Sequence, residues 1–153
     1  MSMSEAMSDH EAIRSLVHAY AERIDSGDIA GVADLFEHAT LVAGDGSRLE
    51  GRDVLEDLWR RSVRIYPDGL PHVCHLISNL DVHVGDDGET ATARSYVTVM
   101  QATDGLALQP VAVSLHRDRF EKVDGAWRFT ERADRQVLVG DLSHHVHGVE
   151  SPA

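Results

Sequence analysis

Two histidines flank the only cysteine of the chain in the stretch "HVCH", residues 72–75. Three kinds of chemistry use these residue types: a metal site, a cysteine nucleophile and a histidine base. Structural zinc needs four ligands and catalytic zinc needs three, whereas neighbouring residues of a strand point to opposite faces. Cys74 therefore points away from the side that His75 takes, and we expect no metal ion here.

The surroundings of Cys74 do not favour a nucleophile either. The sequence beside it supplies neither an adjacent base nor a turn that would present backbone N–H groups as an oxyanion hole. Cysteine is also among the most frequently buried residue types. We predict that Cys74 is a small core side chain that lines a cavity.

His75 suits the role of a general base, because an imidazole with an ordinary pKa of about 6.5 is matched to proton abstraction near neutral pH. A carboxylate on its other ring nitrogen would fix the tautomer and stabilise the imidazolium. Asp25 is the candidate, at the last turn of a predicted helix and at the rim of its apolar face. Two alternatives stay open: Asp25 as an exposed or helix-capping residue, since "DSGD" is ordinary turn sequence, and His75 as a hydrogen-bonded sheet residue.

The N-terminal half of the chain predicts helices. Ser8 and Glu11 form the S-x-x-E pattern of a capping box, and apolar residues then recur at helical spacing. Asp28 is placed to cap a second helix. We predict a first helix over about 9–26, a second helix that begins after its cap at 28, and a third helix from 54 to near 66. Between the second and third helices we predict a short strand over 39–43, followed by a Gly-rich turn.

From residue 73 onward the sequence predicts strands. The turn sequences "DDG", "TDG" and "VDG" separate segments rich in β-branched and aromatic residues, over 73–85, 89–101, 107–122 and 126–139. Helices followed by a meander predict an α+β fold, with three helices packed on one face of a strongly curved, mainly antiparallel sheet that encloses a pocket. We expect one domain over 1–153, with flexible ends at about 1–7 and 146–153.

Composition excludes several functional classes. The 153 residues carry a formal charge of -12, which disfavours nucleic acid and anionic membranes as partners. A single cysteine excludes an intrachain disulfide, no apolar run reaches membrane-spanning length, and the first residues lack a signal-peptide pattern. We expect a cytoplasmic protein. Phosphate loops and dinucleotide fingerprints are missing from the sequence, so we expect no cofactor.

The order of these elements resembles the SnoaL-like branch of the NTF2-like superfamily. The segments that carry the resemblance are "IRSLVHAYAERIDSGDIAGVADLF", "HLISNL", "ATARSYVTV" and "DRFEKVDGAWRFTER". The resemblance implies a cone-shaped domain with a deep apolar pocket. This superfamily contains dehydratases, dehydrohalogenases, cyclases, isomerases, epoxide hydrolases and non-catalytic proteins, so the fold alone does not determine the function.

Within this superfamily, the chain most resembles scytalone dehydratase and hexachlorocyclohexane dehydrochlorinase in the residues that could carry chemistry. Both use a His–Asp dyad, whose positions fall on His75 and Asp25. The dehydrochlorinase also resembles this chain in a cysteine before that histidine, here Cys74, and in an arginine on the last strand, here Arg132. The resemblance implies that His75, Asp25 and Arg132 are catalytic.

The chain also departs from both enzymes. Tyr20 replaces the lysine that serves the leaving chloride in the dehydrochlorinase, and "SYVTVM" lacks the second histidine of the dehydratase. Two polar residues of the dehydratase correspond to Ser114 and His116, which makes His116 a candidate second acid or base. The alternative is that His116 is only an exposed strand residue beside Arg117. The residues expected to line the pocket or to assist are Tyr20, Cys74, Met100, Ser114 and His116.

These observations favour general acid/base catalysis on a small apolar or aromatic organic substrate, by a lyase of the dehydratase or dehydrohalogenase type or by an isomerase or cyclase. The alternative is a non-catalytic small-molecule binder or a β-type subunit of a ring-hydroxylating dioxygenase. Apolar residues on the outer sheet face predict a homo-oligomer, a dimer or a trimer. The roles of His144, His145 and His147 stay open, between a disordered tail and a pH-dependent lid.

Overall fold

The computed structural model describes residues 7–153, and within that range it contains three helices and one six-stranded sheet. The predicted α+β class is confirmed. The elements are α1 (Asp9–Asp25), α2 (Ile29–Leu35), β1 (Thr40–Val42), β2 (Arg48–Glu50), α3 (Arg52–Ser62), β3 (Val73–Val84), β4 (Thr90–Thr103), β5 (Leu106–Val123) and β6 (Ala126–Val139). Most of the flexible end expected over 1–7 lies outside the described residues. None of the helices in 7–153 is long and apolar enough to cross a bilayer.

The starts of α1 and α2 follow from side-chain caps. Ser8 Oγ accepts the backbone N–H of Glu11 at 3.3 Å, while Glu11 Oε2 accepts the backbone N–H of Ser8 at 2.9 Å. These two bonds form the predicted capping box. Asp28 caps α2 as predicted, since its Oδ1 accepts the backbone N–H of Gly31 at 2.9 Å.

The region around α3 differs from the prediction in two ways. The helix ends at Ser62 rather than near 66, because Val63 is extended and pairs with Val146 as an isolated β-bridge. The Gly-rich turn after β1 leads into β2, which the sequence did not predict. Three residues are too few to display a strand period, so only the pairing with β1 defines β2.

The sheet has the strand order β2-β1-β6-β5-β4-β3, and the β1–β6 pair is parallel whereas the other pairs are antiparallel. Alternate residues of β4 are buried from Ala91 to Val99, so one face of the sheet packs inward. That face and the three helices enclose an apolar core between them. The core includes Ile13, Val17, Phe36, Leu55 and Phe129.

Irregularities bend the long strands around α1. The pairing of β3 with β4 shifts register between Ser78 and Asp81, and Asn79 there has a φ of +50°. Further shifts interrupt the pairing of β4 with β5 and of β5 with β6. Bulges increase the local twist and bend of a strand, so these sites curve the sheet over the first helix. Two side chains of α1, Tyr20 and Asp25, thereby lie against the inner face.

Candidate active site

His75 and Asp25 lie in direct contact at the inner face of the sheet. His75 Nδ1 is 2.6 Å from Asp25 Oδ1, and the backbone N–H of His75 donates to Asp25 Oδ2 at 2.9 Å. The His75 side chain is 5% exposed and the Asp25 side chain 22% exposed. The structure thus brings the two residues together, and the Asp25 carboxylate bonds to His75 rather than capping α1, whose C-cap is Ser26.

The turn after α1 determines where Asp25 lies. Gly27 has a φ of +77°, a region that residues with a Cβ rarely adopt. A Cβ at Gly27 would also collide with the carbonyl oxygen of Gly69, in the connection that leads into β3. The glycine therefore allows the end of α1 to approach the start of β3, where His75 lies.

The partner of His75 determines which ring nitrogen is available for chemistry. An ionised carboxylate only accepts hydrogen bonds, so Nδ1 of His75 carries the proton in this pair. Within residues 7–153, the hydrogen bonds between His75 and other side chains involve only its Nδ1 and its backbone nitrogen, so Nε2 has no partner there. In the neutral ring this nitrogen is the acceptor, and it is therefore the atom that could take a proton from a bound molecule.

Tyr20 lies between two histidine rings. Its ring centroid is 5.8 Å from that of His75 and 6.0 Å from that of His116. Burial raises the pKa of Tyr20 to about 12, so its hydroxyl stays protonated at neutral pH and is available as a donor. Among the described residues its hydroxyl has no hydrogen-bond partner.

His116 is buried on the inner face, at 4% exposure, and the alternative of an exposed strand residue is wrong. Its Nε2 is 3.6 Å from Asp134 Oδ1, and its Nδ1 is buried without a partner in the described part of the chain. Burial holds the pKa of His116 well below its usual value, and the charge of Arg132 adds to this effect. The ring is therefore neutral at pH 7.

Arg132 is 2% exposed and lies beneath Tyr20. Its Nε and Nη2 donate to the two carboxylate oxygens of Asp118 at 2.7 and 2.8 Å, and its guanidinium lies 4.4 Å from the centroid of the Tyr20 ring. Sequence reasoning did not identify Asp118, which neutralises the arginine. In this position Arg132 packs against the Tyr20 ring and holds it in place. The same position is compatible with the catalytic role that the sequence predicted for Arg132.

Two residues expected to line the pocket lie on the other face of the sheet. Cys74 is exposed, and Met100 is its cross-strand partner on the same outer face. The predictions that both residues line the pocket are therefore wrong. The physical reason is strand alternation, because an inward His75 directs its neighbour Cys74 outward. Ser114 is half-buried at an inward position, opposite the buried Val97.

His145 is a further residue of the site, and sequence reasoning did not assign it a role. It is 8% exposed, and its ring centroid is 6.2 Å from that of His75. Burial, with a contribution from His75, lowers the pKa of His145 to about 4. The only signal in the sequence was a histidine-rich tail, which does not indicate which of its imidazoles turns inward.

Several buried polar atoms around these rings lack partners. Within residues 7–153, buried side-chain atoms without a hydrogen bond include Ser95 Oγ, His116 Nδ1, Arg132 Nη1 and His145 Nδ1. Leaving such a group unsatisfied costs about 1–3 kcal/mol. A cluster of them is typical of a place where water or a ligand supplies the missing bonds. The described range contains no group of three or more His, Cys, Asp or Glu side chains that could hold a metal ion.

Comparison with known families gives one match that spans most of the chain. The model of the SnoaL-like domain matches residues 5–133. No curated protein sequence matches the chain.

Solved structures with the same fold are numerous. An NTF2-like protein with a cystatin-like fold from Novosphingobium aromaticivorans has a TM-score of 0.68 at 25% identity, and the match covers 84% of this chain and 82% of that one. An aspartate-to-asparagine variant of Rv3472, a protein of unknown function from Mycobacterium tuberculosis, has a TM-score of 0.67 at 30% identity, covering 84% and 76%. A protein provisionally assigned as a scytalone dehydratase, also from Novosphingobium aromaticivorans, has a TM-score of 0.68 at 20% identity, covering 94% and 90%.

Proposed function

This chain belongs to the SnoaL-like domain family, and we propose that it is a cofactor-independent acid/base enzyme that acts on a small organic molecule. The observation that carries the proposal is the His75–Asp25 pair, with a 2.6 Å contact through Nδ1 and an Nε2 that has no partner within residues 7–153. A base of this kind needs a buried position, an orienting carboxylate and one free nitrogen, and His75 has all three.

The first step is proton abstraction from carbon. His75 Nε2 removes a proton from a carbon beside a carbonyl group, and Asp25 stabilises the imidazolium that forms. The electron pair of the C–H bond moves to the carbonyl oxygen, which becomes an enolate. Donors aimed at that oxygen lower the barrier, and the Tyr20 hydroxyl and a neutral His116 N–H are the candidates.

Two outcomes are open to the enolate. In an elimination, the carbon–oxygen bond of a β-hydroxyl group breaks and the hydroxyl leaves as water, with the proton carried by the His75 imidazolium. In an isomerisation or cyclisation, the proton returns to another atom or the enolate carbon attacks within the molecule. Each outcome needs one base and one electrophilic donor, and the site offers both.

The polar atoms without partners favour an oxygen-containing substrate. Hydroxyl and carbonyl groups satisfy N–H and O–H donors, whereas chlorine is a poor acceptor. Tyr20 also stands where the resemblance to the dehydrochlorinase would require a lysine for the departing chloride. We therefore favour a dehydratase or an isomerase over a dehydrohalogenase, acting on a largely apolar or aromatic compound with hydroxyl or carbonyl groups.

Exchange of carbon-bound hydrogen for deuterium tests the proposal, because it detects proton abstraction whatever the later steps are. The probe is 2-tetralone and its hydroxylated derivatives, followed by proton NMR in D2O. We expect the protein to accelerate exchange, and His75→Gln to lower the acceleration by about 10²- to 10⁴-fold. His83→Gln is the matched control, since His83 is exposed on the same strand. No acceleration by the wild-type protein, or a fully active His75→Gln variant, would refute the proposal.

The buried polar atoms that have no partner within residues 7–153 also fit the alternative to an enzyme, a non-catalytic small-molecule binder or a β-type subunit of a ring-hydroxylating dioxygenase. A binder or subunit of this kind would hold an aromatic ligand at the same inner face and would not accelerate exchange. The deuterium experiment therefore separates the two functions.

We also propose that the protein is a homo-oligomer assembled through the outer sheet face. Leu76 of β3 and Leu138 of β6 lie in one cross-strand row of that face and are 47% and 64% exposed. Large apolar side chains in such positions favour contact with another copy. Light scattering on the purified protein distinguishes a dimer, a trimer and a monomer.

A further inference from the structure

The segment 141–147, here called the C-terminal strap, is attached to the body of the domain by hydrogen bonds at successive residues. Tyr66 Oη donates to the carbonyl oxygen of His144 at 2.6 Å, and Gln101 Nε2 donates to the same oxygen at 2.9 Å. The backbone N–H of Arg64 donates to the carbonyl oxygen of His145 at 2.8 Å. The strap is therefore attached on both sides of residue 145.

A short β-bridge extends this attachment. Val146 pairs with Val63, and the backbone N–H of His147 donates to the carbonyl oxygen of Ser62 at 2.9 Å. These contacts explain why α3 ends early, since residues 62–64 serve as a partner strand for the strap. They also fix the direction in which the side chain of His145 points.

The three histidines of the strap have different environments. The ring of His144 has a polar partner, with Nδ1 3.0 Å from Thr103 Oγ1, and His147 is exposed to solvent. His145 alone of the three is buried, with its ring 6.2 Å from that of His75 and its Nδ1 without a partner in residues 7–153. A histidine that only filled the core would be expected to satisfy its ring nitrogen, because an unsatisfied buried group is costly.

We propose that His145 is a second substrate-contacting residue, which hydrogen-bonds an oxygen of the molecule whose proton His75 removes. This inference rests on the proposed function. The ring separation places both imidazoles within reach of one small molecule. Burial keeps the His145 ring neutral at pH 7, so it presents one N–H donor and one acceptor to a hydroxyl or carbonyl oxygen. The substrate-binding site is then complete only with the strap attached.

A pair of matched probes tests the contact. 2-Naphthol and naphthalene differ by one hydroxyl group, so the ratio of their dissociation constants measures hydrogen bonding to that oxygen. We expect His145→Phe, which keeps a ring but removes both nitrogens, to reduce the preference for 2-naphthol by about three- to tenfold. His147→Phe, on the same strap but exposed, should leave the preference unchanged.

A second measurement covers the case in which His145→Phe does not fold. In the wild-type protein labelled with ¹⁵N, 2-naphthol should shift the imidazole nitrogens of His145 more than naphthalene does, and leave those of His147 in place. An unchanged preference in a folded His145→Phe protein, equal shifts with both probes, or failure of 2-naphthol to bind would each overturn the proposal.

The two proposals fail in different ways. If His75→Gln keeps the deuterium exchange of 2-tetralone while His145→Phe loses the preference for 2-naphthol, the proposed function fails and the ligand contact of His145 survives. If His75→Gln abolishes exchange and the preference persists in His145→Phe, the base is supported and the second contact is overturned.

Discussion

The carboxylate of Asp25 holds both the ring and the backbone of His75, with 2.6 Å to Nδ1 and 2.9 Å to the backbone nitrogen. One carboxylate therefore determines the orientation of the imidazole and the position of the strand that carries it. The residues are 50 positions apart, so this contact also joins the end of α1 to the start of β3. A catalytic role and a structural role thus coincide in one side chain.

Asp25→Asn separates these two roles. The amide keeps one oxygen for the backbone N–H of His75, but its NH2 group then faces Nδ1. The ring therefore takes the tautomer with the proton on Nε2, which can no longer accept a proton, and the charge that stabilises the imidazolium is lost. We expect the rate of 2-tetralone exchange to fall by about 10²- to 10⁴-fold, while the free energy of unfolding changes by about 1 kcal/mol or less. Asp53→Asn is the control, at a side chain 97% exposed. An unchanged exchange rate in Asp25→Asn would contradict the dyad.

The buried pair of Arg132 and Asp118 predicts an effect on stability. Removing one partner leaves the other as a buried, uncompensated charge. Arg132→Met alone should therefore lower the free energy of unfolding by about 3–5 kcal/mol, measured by urea denaturation. Arg132→Met combined with Asp118→Leu should be closer to wild type, since both charges are removed. Arg135→Met, an exposed arginine on the same strand, controls for the substitution itself. A double variant less stable than Arg132→Met would contradict this account.

The neutral histidines predict how stability depends on pH. In the unfolded chain His116 and His145 titrate near 6.5, whereas burial lowers both pKa values in the folded protein, that of His145 to about 4. Well above pH 6.5, neither the folded nor the unfolded state binds these protons, and stability no longer depends on pH through these two histidines. As the pH falls from 6.5 towards 4, the unfolded state binds protons first, so stability declines by up to about 1.4 kcal/mol per pH unit for each histidine.

His145→Gln isolates the share of that residue. Between pH 6.5 and 4, the free energy of unfolding of this variant should decline less steeply than that of the wild type. Urea denaturation repeated across that pH range measures both curves. His18→Gln, at an exposed position of α1, should follow the wild-type curve. Parallel curves for the wild type and His145→Gln would show that residue 145 takes up its proton equally in both states.

Local chemistry explains what the sequence predicted well. The capping box of Ser8 and Glu11, the cap at Asp28 and the Asp-Gly turns each depend on residues within a few positions of one another. Strand alternation alone predicts that His75 and Cys74 point to opposite faces, and the contact of His75 with Asp25 shows that His75 is the inward one. The prediction that Cys74 lines a cavity was wrong because it applied an average preference of cysteine against that geometry.

The rest of the site depends on contacts between distant segments, for which a single sequence holds no signal. Asp118 and Arg132 meet across a hairpin, from positions 14 residues apart, and only the register of β5 with β6 makes them partners. His145 reaches His75 because the strap pairs with residues 62–64, which the sequence assigned to the third helix. An error in one helix end therefore concealed a residue of the site.

The exposed position of Cys74 predicts a thiol that reacts without harm to the inner face. Cys74 lies on the outer face proposed for assembly, two residues from Leu76, so the reaction is run at a dilution at which light scattering shows a monomer. There we expect Ellman's reagent to modify one thiol per chain, because Cys74 is the only cysteine and is exposed. The modified protein should retain the 2-tetralone exchange rate of the untreated protein, since the adduct lies on the opposite side of the sheet from His75. Cys74→Ser should behave in the same way and should not react. Loss of exchange on modification of the wild type, with Cys74→Ser active and unaffected, would place the thiol on the substrate side and contradict the assignment of the two sheet faces.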